Sequence, residues 1–361
     1  MSYNPQFLTR HPDPSELEPF TNPDLILANG AAFRIGRAAA EALGIAFAAP
    51  CYGTNFGNGE ICPIMSVDEM KDKDVVVVSA YPSGEKSVNI ADEQAKELTR
   101  LAGDNGARRV TNILLNPKGQ RKDRIDDGTA QPNIFRHELI DFHSAGSDTI
   151  ISVDPHSEAL YDYSPVPAFG INPLRIFADP LHELVDNDPE RYFIALPDDG
   201  SARRAIGYDK ELGIDMIALN KVREPNTREV RFLGLQDAIR TPEIAKKIKK
   251  KTAIVVDDMV DGGGTLSKLV QGLRNDGHGI KDAIVVMTYP VLSSGCYSLR
   301  DPLYRRIITT NAGLHGEDKR ILGDVDHKLE IRKMHNLLVP LLAGALSCKY
   351  ILTKGEVTLT A

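Results

Sequence analysis

Basic runs are missing from this sequence of 361 residues, and there is no excess of positive charge. Against 50 Asp and Glu stand 43 Lys and Arg, a formal net charge of −7. A nucleic-acid partner is therefore not expected, because its phosphates call for a basic face. A chain of this balance that handles anionic substrates must bring its cations, or metal ions, to one local site. Cysteine is also scarce. Cys51, Cys62, Cys296 and Cys348 show no short paired spacing, which speaks against a zinc site and against a disulfide framework. No apolar run approaches the length of a membrane span, and the opening stretch MSYNPQFLTRHPDPSELEPF lacks the apolar region of a secretory signal. The expectation is a cytoplasmic protein with no membrane partner. Short-period repeats and low-complexity tracts are absent as well.

What the sequence has is alternation. Segments 74–80, 109–115, 149–154, 192–197, 215–220, 252–256, 282–288 and 306–310 read as short strands. Segments 33–43, 89–102, 135–145, 173–185, 201–212, 266–275 and 336–346 read as helices, the last with Pro340 tolerable only near its start. Several strands are continuous apolar runs, as expected when helices cover both faces of a parallel sheet. Strand–helix alternation of this kind predicts an α/β fold. The series runs twice, around a turn-rich join at YDYSPVPAFGINP. The expected domains are residues 25–168 and 169–335, with an extension over 1–24 and a C-terminal helix and tail over 336–361.

The chemistry concentrates in IVVDDMVDGGGTL, Ile254 to Leu266. Loops after parallel strands gather at the carboxyl edge of the sheet, where α/β proteins bind ligands. Consecutive glycines let backbone N–H groups approach a phosphate without Cβ obstruction, and the following helix offers its positive end. Thr265 can donate a hydroxyl to a phosphate oxygen or cap the helix. Asp257 and Asp258 repel phosphate but suit ribose hydroxyls, which donate hydrogen bonds. The stretch reads as a cradle for a ribose phosphate.

That stretch resembles the loop shared by type I phosphoribosyltransferases and the synthetases of phosphoribosyl diphosphate (PRPP), the ribose-phosphate pyrophosphokinases. Six further segments favour the synthetases: FGNGEI at 56–61, GQRKDR at 119–124, VDPHSE at 153–158, PDDGSARR at 197–204, NKVREPNTREV at 220–230 and TYPVLSSG at 288–295. A phosphoribosyltransferase would share the glycine loop but not the VDPH and K-x-R segments. The resemblance spans roughly residues 25–350. It implies two phosphoribosyltransferase-like domains, each a mostly parallel sheet flanked by helices, with the first serving mainly ATP and the second the ribose phosphate.

The implied reaction is attack of the C1 hydroxyl of ribose 5-phosphate on the β-phosphorus of MgATP, releasing AMP. By resemblance, Lys221 and Arg223 are the catalytic cations, and they share one side of the chain if their segment is extended. Asp257, Asp258, Asp261, Gly262, Gly263, Gly264 and Thr265 hold the ribose phosphate. Phe56, Asn58, Glu60, Arg121, Asp123, Arg124 and His156 serve ATP. His156 and Asp198 hold its Mg²⁺. Phe56 and Glu60 match a segment that reaches the adenine in a neighbouring subunit, so a homo-oligomer with the site at a subunit interface is implied.

Three positions depart from the family pattern. Pro155 stands where Leu is usual, which removes a backbone donor and stiffens the approach to His156. Asn58 replaces Asp. Gly262 replaces the Thr of many relatives, which removes a hydroxyl and clears space where a larger 5′-substituent would project. An acceptor such as ADP-ribose, taking the same diphosphoryl group at its free C1 hydroxyl, is therefore chemically coherent. A non-catalytic regulatory relative would be expected to lose Lys221, Arg223, His156 or Asp198, and all four are present.

Overall fold

The computed structural model of the protein describes residues 21–48, 61–82, 88–123, 125, 128–196, 205, 207–218, 221–223, 230–232, 249–275, 279–293, 295–314, 323–346 and 350–352. Its first half runs β1 (Leu25–Ala28), α1 (Phe33–Leu43), β2 (Ala46–Ala48), β3 (Asp74–Ala80), α2 (Val88–Asp104), β4 (Arg109–Leu115), α3 (Ile134–Ser144), β5 (Thr149–Val153), α4 (Ala159–Tyr163) and β6 (Ala168–Ile171). Its second runs α5 (Leu174–Val185), β7 (Tyr192–Leu196), α6 (Tyr208–Leu212), β8 (Met216–Ala218), β9 (Lys221–Arg223), β10 (Val230–Phe232), β11 (Thr252–Val260), α7 (Gly264–Asn275), β12 (Asp282–Pro290), β13 (Tyr304–Thr310), β14 (Leu329–Arg332), α8 (His335–Leu342) and β15 (Ile351–Leu352).

Among the described residues, one sheet has the order β15-β6-β5-β4-β3-β1-β2 and the other β14-β13-β12-β11-β7-β8, while β9 and β10 form a separate antiparallel ribbon. All neighbours in the two large sheets are parallel except β15 on β6. The C-terminal segment thus returns to complete the edge of the first sheet. Parallel strands joined through helices bring their following loops to one edge, and this places the loops after β4, β5, β11 and β12 in the same region of each half.

Side-chain alternation explains how one sequence builds layers on both faces of a strand. In β11, Ile254 and Val256 enter the core shared by the two halves, whereas Ala253 and Val255 pack under α7 with Leu266 and Leu269. The shared core joins Val76, Ile113 and Ile151 of the first sheet to Ile284 and Ile308 of the second, with Phe177 of α5 and Leu337, Leu338 and Leu341 of α8 between them. One buried polar side chain locks the first half. Asn29 accepts from the N–H groups of Ala32 and Ala80 and donates to the carbonyls of Ala80 and Ala91, so β1, β3 and α2 are tied with every amide position used.

Among the elements whose bounds differ from the sequence-based expectation, two stand out. The helix expected over 336–346 ends at Leu342, and Pro340 lies inside it rather than near its start. The strand expected to stop at 256 continues to Val260, pairing Asp257 with Met287 and Val260 with Pro290. The two adjacent acids therefore lie on a strand, and consecutive strand residues face opposite ways.

Candidate active site

The loop after β11 begins at Asp261 and passes into α7 at Gly264. Gly263 has φ +67, a left-handed value that suits glycine, whereas a Cβ on Gly262 or Gly264 would meet nothing within 4 Å. The loop is therefore open on the side of these two residues, as a phosphate cradle must be. Asp261 is fixed from the loop after β12: it accepts from the Ser293 backbone N–H at 3.0 Å and from the Ser293 hydroxyl. Burial raises the Asp261 carboxyl, but hydrogen bonds from Ser293 and Arg121 outweigh that and hold it below its ordinary value.

The first half meets this loop and the strand before it through two polar contacts. His156, three residues beyond the end of β5, places Nδ1 2.7 Å from Oδ2 of buried Asp258. Arg121, on the loop after β4, places Nη1 3.0 Å from Oδ2 of Asp261. A third tie lies deeper. Asp154, at φ +48, accepts from the Thr288 hydroxyl, and the Tyr289 hydroxyl donates to the Val153 carbonyl. Burial pushes the Tyr289 phenol well above its ordinary value, with the charge of Asp154 adding to it, so it stays a donor. The edge of the first sheet is thus stitched to the edge of the second.

Asp123 is buried and turned inward. It accepts from the Ser157 hydroxyl, while its carbonyl accepts from Asn133 at 2.9 Å and Tyr163 at 3.2 Å. Its place is to join the loop after β4 to the one that carries His156. Of the residues that sequence reasoning placed at one site, the structure sets Arg121 against Asp261 and His156 against Asp258, keeps Asp257 next to Asp258 on β11, turns Asp123 toward Ser157, and puts Gly262, Gly263, Gly264 and Thr265 in the loop and helix start that follow. Lys221 and Arg223 lie on β9, an extended strand paired with β10. Phe56, Asn58, Glu60, Arg124 and Asp198 lie outside the described residues. Sequence reasoning missed Asp154, Ser157, Thr288, Tyr289 and Ser293 as supports of the site. All five lie in segments already singled out, Asp154 and Ser157 in VDPHSE and Thr288, Tyr289 and Ser293 in TYPVLSSG, but their partners are set only by the fold.

No protein-family profile matches the chain. It is 24% identical over 277 residues to ribose-phosphate pyrophosphokinase 4 of Saccharomyces cerevisiae, which covers 74% of this chain and 79% of the yeast one. It is 27% identical over 217 residues to the ribose-phosphate pyrophosphokinase of Mycobacterium bovis, a match spanning 59% of this chain and 62% of that relative's length. The fold superposes on the phosphoribosylpyrophosphate synthetase of Mycobacterium smegmatis with a TM-score of 0.73 and 25% identity, covering 88% of this chain and 97% of that one. Among the described residues, no helix is long and apolar enough to cross a membrane. The motifs, the paired sheets and these relatives agree: the chain is similar in sequence and fold to the ribose-phosphate pyrophosphokinases.

Proposed function

We propose that the protein transfers the β,γ-diphosphoryl group of MgATP to the C1 hydroxyl of ribose 5-phosphate, giving PRPP and AMP. The observation that supports this best is the meeting of His156 with Asp258 and of Arg121 with Asp261. These contacts join loops suited to a nucleotide to a loop suited to a ribose phosphate. A transferring diphosphoryl group must sit between two such loops, and it asks for positioning and positive charge rather than a covalent nucleophile.

In this reading Gly262, Gly263, Gly264 and Thr265 take the 5′-phosphate and Asp261 guards the loop's entrance. Asp258, turned toward His156, and Asp257, on the opposite face of β11, are the acceptors offered to the ribose hydroxyls. Arg121 and Arg124 reach the polyphosphate. Lys221 and Arg223 stabilise the charge that builds on the transferring group. Phe56, Asn58 and Glu60 recognise adenine across a subunit interface, which makes the working unit a homo-oligomer.

Among the described residues no three His, Cys, Asp or Glu side chains converge as a metal site. Mg²⁺ would arrive on the nucleotide, since this ion keeps several phosphate and water oxygens. His156 and Asp198 would hold it, and its chemistry there is neutralisation of phosphate charge. Asp258 orients the His156 ring through Nδ1, as carboxylates do behind many ligand histidines.

Acceptor choice turns on Gly262. Its neighbourhood is empty and its φ is ordinary, so neither packing nor backbone requires glycine there. The experiment is AMP release from MgATP with ribose 5-phosphate and ADP-ribose offered separately, the sugar product identified by mass. Turnover of ribose 5-phosphate alone supports the proposed reaction, and turnover of ADP-ribose alone moves the same chemistry to a larger acceptor. Silence with both, in folded protein, contradicts catalysis.

A further inference from the structure

Outside the residues assigned so far, the described part of the first half contains a dense buried ionic cluster. Lys96 of α2 lies 3.0 Å from Asp92, 3.0 Å from Glu138 of α3 and 3.2 Å from Asp141. Lys96, Asp92 and Glu138 are almost fully buried, an environment that charged groups occupy only when paired. Lys118, on the loop after β4, reaches in from the surface and places its ammonium 2.9 Å from the same Asp92 oxygen that Lys96 holds. Against burial, a hydrogen bond from Glu138 and the two lysines hold Asp92 below its ordinary value, with the Tyr81 hydroxyl 3.3 Å from its other oxygen, while burial and the hydrogen bond to Asp92 push Glu138 up to about 9. The backbone of Lys118 also hydrogen-bonds to Tyr81. The side chain of Lys118 thus ends on buried Asp92 directly, and its main chain reaches the same carboxylate through the Tyr81 hydroxyl.

The loop leaves little freedom between this anchor and its far end. Asn116 and Gly119 adopt left-handed φ of +63 and +78. A Cβ on Gly119 would stand 2.6 Å from Ile134, so the turn lies directly against α3. At its far end Asp123 is pinned by Ser157, Asn133 and Tyr163. Between the two fixed points Arg121 and Lys122 are exposed, and Arg121, with 56% of its side chain exposed, is the one that reaches Asp261.

We infer that Lys118 is the positioning residue of the nucleotide-binding loop: its ammonium, seated on buried Asp92, sets the height and direction from which Arg121 addresses the polyphosphate of MgATP. This rests on the proposed role of Arg121. A long lysine on a surface turn would ordinarily be solvated, and its use as an inward anchor is what the geometry adds.

The test is MgATP affinity by calorimetry and its KM, in the full-length protein, for Lys118→Met, Lys118→Arg, Arg121→Ala and the Lys118→Met/Arg121→Ala double variant. Lys118→Met keeps the aliphatic stem and removes only the ammonium. It is expected to weaken MgATP about tenfold with the KM for the sugar unchanged, and Lys118→Arg is expected to recover most of the loss. In the Arg121→Ala background Lys118→Met should add almost nothing, because its effect passes through Arg121. Fully additive losses overturn the inference, as does a lower thermal midpoint with unchanged MgATP affinity. If the unaltered protein binds MgATP without turning over, the proposed reaction falls while calorimetry still judges Lys118. If it does not bind MgATP, both fall.

Discussion

Nδ1 of His156 lies 2.7 Å from Oδ2 of Asp258, a contact between residues 102 apart in the chain that joins the loop after β5 to the C-terminal part of the glycine-loop strand β11. Asp258 is buried and His156 part-exposed, so the carboxylate holds and the imidazole serves. Asp258→Asn keeps the shape but weakens the acceptor that fixes the ring. Removing such a support typically costs about 10- to 100-fold. We expect that loss in kcat/KM for MgATP with a thermal midpoint close to that of the unaltered protein. An unchanged kcat/KM would show that the contact is only structural.

Arg121 and Asp261 form a different kind of contact. Both side chains are partly exposed, at 56% and 28%, and pairs of this sort contribute roughly 0–1 kcal/mol to stability. Arg121→Ala should therefore melt within a few degrees of the unaltered protein while losing MgATP affinity tenfold or more. Differential scanning calorimetry and nucleotide titration on one sample separate the two effects. A large drop in midpoint with intact affinity would reverse the assignment.

The buried cluster gives a pH dependence with a definite sign. Burial, helped by ionised Asp92 and opposed by Lys96, raises Glu138 from 4.5 to about 9. The folded state therefore keeps a proton that the unfolded chain loses above about 4.5. This contribution is complete below that value and declines as pH rises toward 9, with a slope of at most about 1.4 kcal/mol per pH unit. Asp92 is shifted downward and Lys96 upward, so neither titrates within this window. Urea unfolding from pH 5 to 9 should show a shallower decline for Glu138→Gln than for the unaltered protein, and parallel curves would refute the assignment.

Two glycines in candidate substrate loops should respond oppositely to a side chain. Gly119 combines φ +78 with a Cβ position 2.6 Å from Ile134 and 2.9 Å from the Phe135 nitrogen, so Gly119→Ala should cost about 1–3 kcal/mol. Gly262 has open space, so Gly262→Thr should leave the midpoint nearly unchanged and act only on the acceptor. Thermal melts of both variants, with acceptor KM values for the second, make the comparison.

Much of this was legible in the sequence for a physical reason. Apolar runs such as Val75–Val78 can only be strands buried on both faces, and Asp257 to Thr265 combines residue types that few other tasks require. Less legible was whatever depends on partners distant in sequence. Asp257 and Asp258 look like the end of a strand because they are charged, yet pairing with β12 carries the strand on to Val260. Asp123 reads as a ligand until Ser157 is seen to engage it across 34 residues. Lys118 reads as one more cation in a basic turn, and only the fold brings Asp92 beneath it. Strands β1 and β6 are four residues each and β15 is two, too short for periodicity to stand out before the sheet exists.

The central claim is that one diphosphoryl group crosses from the loops of the first sheet to the loop of the second. Its most direct test follows the label from ATP marked at the β-phosphorus, with Mg²⁺ and the sugar acceptor, through a single turnover. The account requires the label on the sugar product, with AMP formed in equal amount. Label recovered in ADP or in free phosphate, with the sugar unmodified, would contradict it.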